Sequence, residues 1–133
     1  MYGYVIMVDN TIVHFDIPAE NPEKLKVFYS KVFNWLIYRC PGPVEYYMIE
    51  TVPVDEKGAP VRPGVNGGMH KKDQPEQKPV NYILVENIDE SIQRITDLGG
   101  TITQPKEQVP GVGWMTQAID PEGNPFAMLQ STR

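Results

Sequence analysis

The chain states one pattern twice. A β-rich run over residues 11–17 leads into Asn21, and a second over residues 81–85 leads into Asn87, 66 residues after the first asparagine. Asparagine suits the start of a helix because its side chain accepts from backbone N–H groups that the first turn leaves unpaired. The first copy adds Pro22 at the first helical position and Glu23 in the first turn. Leu25, Phe28, Tyr29, Val32 and Phe33 then recur at helical spacing, so this helix is expected to bury one side. In the second copy Glu90 follows Asn87 at capping-box spacing, Ile88, Ile92 and Ile95 form the apolar stripe, and Leu98-Gly99-Gly100 marks the end.

Each helix is followed by three strand signals. Residues 35–40 and 44–52 read as a hairpin around Pro41-Gly42-Pro43, with Tyr47 and Ile49 alternating against Tyr46, Met48 and Glu50. Residues 55–63 read as a surface loop and residues 67–70 as a short strand, before a linker over 71–79. After the second helix Thr101 to Thr103 starts a strand. Two apolar runs then flank Asp120-Pro121-Glu122-Gly123-Asn124, where proline presets φ, glycine allows positive φ, and Asp and Asn can bond their own backbone. Each half is therefore strand, helix, three strands. The expectation is one α+β domain over residues 1–133, with module 1 at about 11–70 and module 2 at about 80–131.

Composition narrows the class of partner. The chain has 133 residues, 12 basic and 17 acidic, with a net charge of −5, which disfavours the phosphate neutralisation that drives nucleic-acid binding. An apolar content of 41% belongs to a folded chain despite 13 prolines and 11 glycines. Cys40 stands alone, without C-x-x-C or zinc-ligand spacing, so a reducing cytoplasm is expected. Residues 4–8 are apolar but too few to span a bilayer, and they read as an extra strand or an arm.

Several stretches resemble the vicinal oxygen chelate superfamily of glyoxalases, bleomycin-resistance proteins and extradiol dioxygenases. They are His14-Phe15-Asp16-Ile17-Pro18 into Asn21-Pro22-Glu23-Lys24, Phe28-Tyr29 with Val32-Phe33-Asn34-Trp35, Val80-Asn81-Tyr82, Leu98-Gly99-Gly100, and Val109-Pro110-Gly111-Val112-Gly113-Trp114 leading into the Asp120–Asn124 turn. Within the superfamily the chain looks most like the small glyoxalase-related proteins. The resemblance implies two βαβββ modules forming a half-open β-barrel around a pocket. It also implies metal ligands on the first and last strand of each module, in those members that use a metal. Aligned here, the first strands offer His14 and Tyr82, and the last strands Gly68 and Ala127, which supply no side-chain donor.

The expected function is accordingly a glyoxalase and bleomycin-resistance-like protein that binds a small organic ligand in the barrel pocket without the usual metal. The alternative is an enzyme, a lyase, isomerase or dioxygenase, in which His14 binds a divalent ion or acts as a metal-free base. A third reading, an interaction module with residues 1–10 as its contact surface, ranks last. His14 is the candidate catalytic residue and the only favoured ligand should a metal bind, since imidazole suits both tasks. His70 is a weaker substitute, because a one-residue offset on a strand faces the wrong way. Tyr47, Met48, Glu50, Tyr82, Trp114 and Phe126 are the expected pocket residues, and Glu50 and Asp16 are the candidate orienters of His14. A homodimer is expected, with no nucleic-acid or membrane partner.

Overall fold

The computed structural model describes residues 9–132, so the run at residues 4–8 lies outside the described residues. The chain divides into two compact units, Val13–Asn81 and the remaining described residues. No helix of the described residues is long and apolar enough to cross a membrane.

The first unit contains β1 (Ile12–Ala19), α1 (Pro22–Phe33), β2 (Leu36–Arg39), β3 (Tyr46–Glu50) and β4 (Gly67–Lys71). Their order across the sheet is β2-β3-β4-β1, with β1 parallel to β4 and the other pairs antiparallel. Helix α1 starts as its sequence requires: Asn21 Oδ1 accepts from the Lys24 amide at 3.1 Å, and Pro22 occupies the first turn. It ends at Asn34, which takes the left-handed conformation (φ 60°) and returns its N–H to Ser30 O. Leu25 and Tyr29 pack with Phe15, Ile17 and Trp35 onto buried Ala19, Ile37, Tyr47, Ile49 and Met69.

The apolar stripe of α1 is wider than the part that is buried. Phe28, Val32 and Phe33, expected on the buried side with Leu25 and Tyr29, are 53%, 53% and 55% exposed. Of the stripe, Leu25 and Tyr29 are the residues that pack on the core of the first unit.

The second unit contains β5 (Val80–Leu84), α2 (Ile88–Asp97), β6 (Thr101–Val109), β7 (Gly113–Ile119) and β8 (Pro125–Ser131), ordered β5-β8-β7-β6. Asn87 Oδ1 accepts from the Glu90 amide at 3.0 Å, and Gln130 Oε1 accepts from the Ile88 amide at 2.8 Å, so two side chains serve the start of α2. The Asp120 turn joins β7 and β8 in antiparallel register, as the hairpin signal predicts. Strand β6 runs well past Thr103 and through Pro105. It can do so because it is an edge strand with register shifts on both sides of Gln104, so proline replaces no central ladder bond. Thr116 is buried, and its hydroxyl donates to the Gln104 carbonyl at this irregularity.

Candidate ligand site

Strand alternation gives the first sheet two faces of different chemistry. One face packs on α1. On the other, β1 places His14 and Asp16, β2 places Tyr38, β3 places Tyr46, Met48 and Glu50, and β4 places Gly68 and His70. The register brings Met48, Gly68 and Asp16 side by side across three strands.

Gly68 decides what happens at the centre of that row. A Cβ at this position would coincide with the Tyr46 hydroxyl and lie 2.9 Å from Asp16 Oδ1. With only hydrogen at Gly68, the Tyr46 ring reaches from β3 over β4 and meets the side chains of β1. Its hydroxyl donates to Asp16 Oδ1 at 2.6 Å, and His14 Nε2 lies 3.0 Å from the hydroxyl and 3.1 Å from Asp16 Oδ1. The side chains of His14 and Asp16 are 26% and 13% exposed, so the cluster is partly buried. The result is a closed ring of three contacts among imidazole, carboxylate and phenol.

A second pair stands on the same face. Tyr38 donates to Glu50 Oε2 at 3.0 Å. Burial, and after it the Glu50 carboxylate, pushes the Tyr38 phenol above its ordinary range. His70, which its offset was expected to turn the wrong way, lies on this face too, because it stands two residues, one full strand period, along from Gly68; its Nδ1 is 3.0 Å from the Lys71 carbonyl.

The other sequence-selected aromatics are placed differently. Tyr47 belongs to the α1-packed core, where it is 1% exposed. Its hydroxyl donates to Glu23 Oε2 and lies 3.2 Å from Glu45 Oε2. The bond to Glu23, then burial, then Glu45 push this phenol up to about 12. Trp114 and Phe126 pack against Val85, Ile88 and Met128 under α2. The Lys106 ammonium covers the Trp114 ring at 4.8 Å and pairs with Asp89 at 3.0 Å. Tyr82 is buried and stands in register with Ala127. Met48 and Glu50 thus share a face with His14, whereas Tyr47, Trp114 and Phe126 lie against the helices.

The same registers correct the pairing of His14 with Tyr82. Asp16 faces Gly68 as Tyr82 faces Ala127, and Asp16 and Tyr82 stand equally far ahead of the caps Asn21 and Asn87. The counterpart of His14 is therefore Val80. Both alignments keep the strand face, because two residues are one full strand period, and the sequence alone did not separate them.

The four positions at which the resemblance implies metal ligands are thus His14, Val80, Gly68 and Ala127, of which only His14 has a donor atom. Among the described residues no three His, Cys, Asp or Glu side chains come together in a way that could hold a metal ion. This donor set does not fit a divalent cation. Tyr46 is the member of this cluster that the sequence did not single out. Its signal was a glycine in mid-strand, which often marks a close approach by another group.

Comparison with known proteins agrees with this architecture. Residues 12–129 match the model of the glyoxalase-like domain, and the chain belongs to that family. Its fold is that of the vicinal oxygen chelate proteins. It is 25% identical over 124 residues to "Putative glyoxylase CFP32" of Mycobacterium bovis and to the same-named protein of Mycobacterium tuberculosis. The match takes in 89% of this chain but 44% of those relatives, so the chain spans less than half of their length. Among solved structures, hypothetical protein BH1468 of Bacillus halodurans aligns with a TM-score of 0.67 at 11% identity, over 93% of this chain and 96% of the other. A methylmalonyl-CoA epimerase variant of Streptomyces coelicolor, in complex with 2-nitronate-propionyl-CoA, aligns with a TM-score of 0.66 at 12% identity, over 93% and 99%. At such identities the likeness is one of fold.

Proposed function

We propose that this glyoxalase-like protein binds a small organic ligand without a divalent metal, on the face of the first sheet that carries His14, Asp16 and Tyr46. The observation that carries the reading is the place beside His14: where a coordinating side chain would be needed, Gly68 has none and a phenol fills the space. Met48 and Glu50 flank the cluster and offer apolar and acceptor contacts to the ligand. A thermal-shift screen against a metabolite and antibiotic panel tests this reading. A true ligand at 100 times its dissociation constant raises stability by about 2.7 kcal/mol, and the gain should shrink when Tyr46 or His14 is replaced. A panel in which nothing raises the melting temperature contradicts it.

A second reading is supported by the hydrogen-bonded ring itself. An imidazole held by a carboxylate and a phenol resembles a metal-free base with its orienting groups, which suits a lyase or isomerase. Turnover of a bound compound that is lost in His14→Ala would move the protein from binder to enzyme. We also propose that the protein works in the cytoplasm as a homodimer. The exposed Phe28, Val32 and Phe33 of α1 support self-association, and light scattering at micromolar concentration would reveal it.

A further inference from the structure

We infer that Tyr46 is the residue that closes this site to metal: its hydroxyl stands in for the missing side chain at position 68, so a divalent cation at His14 and the present Tyr46 are mutually exclusive. The inference rests on the metal-free reading and adds to it a named residue and a cause. Three observations carry it. The space beside Gly68 is already filled, since any side chain there would overlap the Tyr46 hydroxyl. The Tyr46 proton goes to Asp16 Oδ1, which engages the carboxylate that stands nearest to His14. His14 Nε2 is already within hydrogen-bonding reach of both oxygens. A cation bound to that nitrogen would have to displace both contacts, so the hydrogen-bonded ring and coordination through Nε2 compete directly.

The geometry also shows what a metal site here would need. Asp16 and position 68 are partners in register on adjacent strands, and a Cβ at 68 lies 2.9 Å from Asp16 Oδ1. With the phenol gone, a glutamate at 68 would join Asp16 and His14 as a third oxygen or nitrogen donor on one face. Oxygen and imidazole donors of this kind suit Mn2+. One side chain therefore separates a hydrogen-bonding site from a coordinating one.

Calorimetric titration with MnCl2 tests this on the full chain, in the wild type and in a variant combining Tyr46→Ala with Gly68→Glu. The wild type should give no binding heat, and the double variant should take up close to one ion per chain. Adding His14→Ala to the double variant should abolish that uptake. If the double variant proves unstable, Tyr46→Ala with Gly68→Asp offers a shorter carboxylate at the same place and carries the same expectation. If the wild type itself binds one Mn2+ through His14, both the metal-free reading and this inference fall. If the wild type binds none and neither folded variant gains an ion, the metal-free reading stands and the role given to Tyr46 is wrong.

Discussion

Gly67 and Gly68 are neighbours on β4, both buried, and each lacks room for a side chain for a different reason. A Cβ at Gly67 would press on the Phe15 carbonyl and come within 2.7 Å of its ring, and backbone cannot step aside. At Gly68 the obstacle is the far end of the Tyr46 side chain, which can. Gly67→Ala should therefore cost about 3 kcal/mol in urea unfolding, at the upper end for overpacking. Gly68→Ala should cost about 1–2 kcal/mol, the worth of the hydrogen bonds broken when Tyr46 swings away. In a Tyr46→Ala background the Gly68→Ala cost should nearly vanish while that of Gly67→Ala persists. Additive effects of Tyr46→Ala and Gly68→Ala would contradict the contact. Tyr47 makes a separate, pH-dependent prediction. Its phenol is held neutral up to about 12 against an ordinary 10.0, so its contribution is complete below pH 10 and is lost as pH rises through about 12. Stability should fall over that window in the wild type, and Tyr47→Phe should flatten the fall. The contrast between Tyr46 and Tyr47 also marks where sequence reading stopped. Alternation separates residues 46, 48 and 50 from 47 and 49, but adjacent tyrosines give no sign of which face meets the helix. Only Glu23 on α1 and Asp16 on β1, each distant in sequence, distinguish the two hydroxyls.

At the scale of elements the local signals were strong, because each rests on bonds within a few residues. Asn21 and Asn87 cap their helices as their spacing implies, and replacing either with alanine should cost about 1 kcal/mol by thermal denaturation. The β7–β8 turn depends on Asp120, whose carboxylate accepts from the Asn124 side chain, the Asn124 amide and the Glu122 amide. These bonds, that from the Asn124 side chain foremost, hold its carboxyl below the ordinary 3.8. A depressed carboxyl stabilises the fold above its unfolded value and stops doing so as pH falls through the lowered one. The protection of the β7 and β8 amides, relative to their intrinsic exchange rates, should accordingly drop at acid pH in the wild type, and in Asp120→Ala it should be lower already at neutral pH. Equal protection in both proteins near pH 7 would show that the turn does not hold the hairpin. Two features escaped the sequence at this scale. The length of β6 was hidden by Pro105, which only an edge position tolerates, and the exposure of Phe28, Val32 and Phe33 follows from which row of α1 meets the sheet, which helical spacing alone does not fix.

For the whole molecule, the duplicated βαβββ plan was legible from two asparagines and their flanking strands, and family membership follows from residues 12–129. The site was legible only in part. His14 was singled out by its residue type and place, but the phenol beside it could not be, because Tyr46 reaches it across an intervening strand. That same phenol carries the proposed reading, in which the first module binds its ligand through hydrogen bonds without a divalent metal. The direct measurement is elemental analysis of the purified protein after expression in medium supplemented with manganese, zinc and nickel. The account predicts far less than one equivalent of any divalent metal per chain, with no difference between wild type and His14→Ala. About one equivalent in the wild type, lost in His14→Ala, would contradict it.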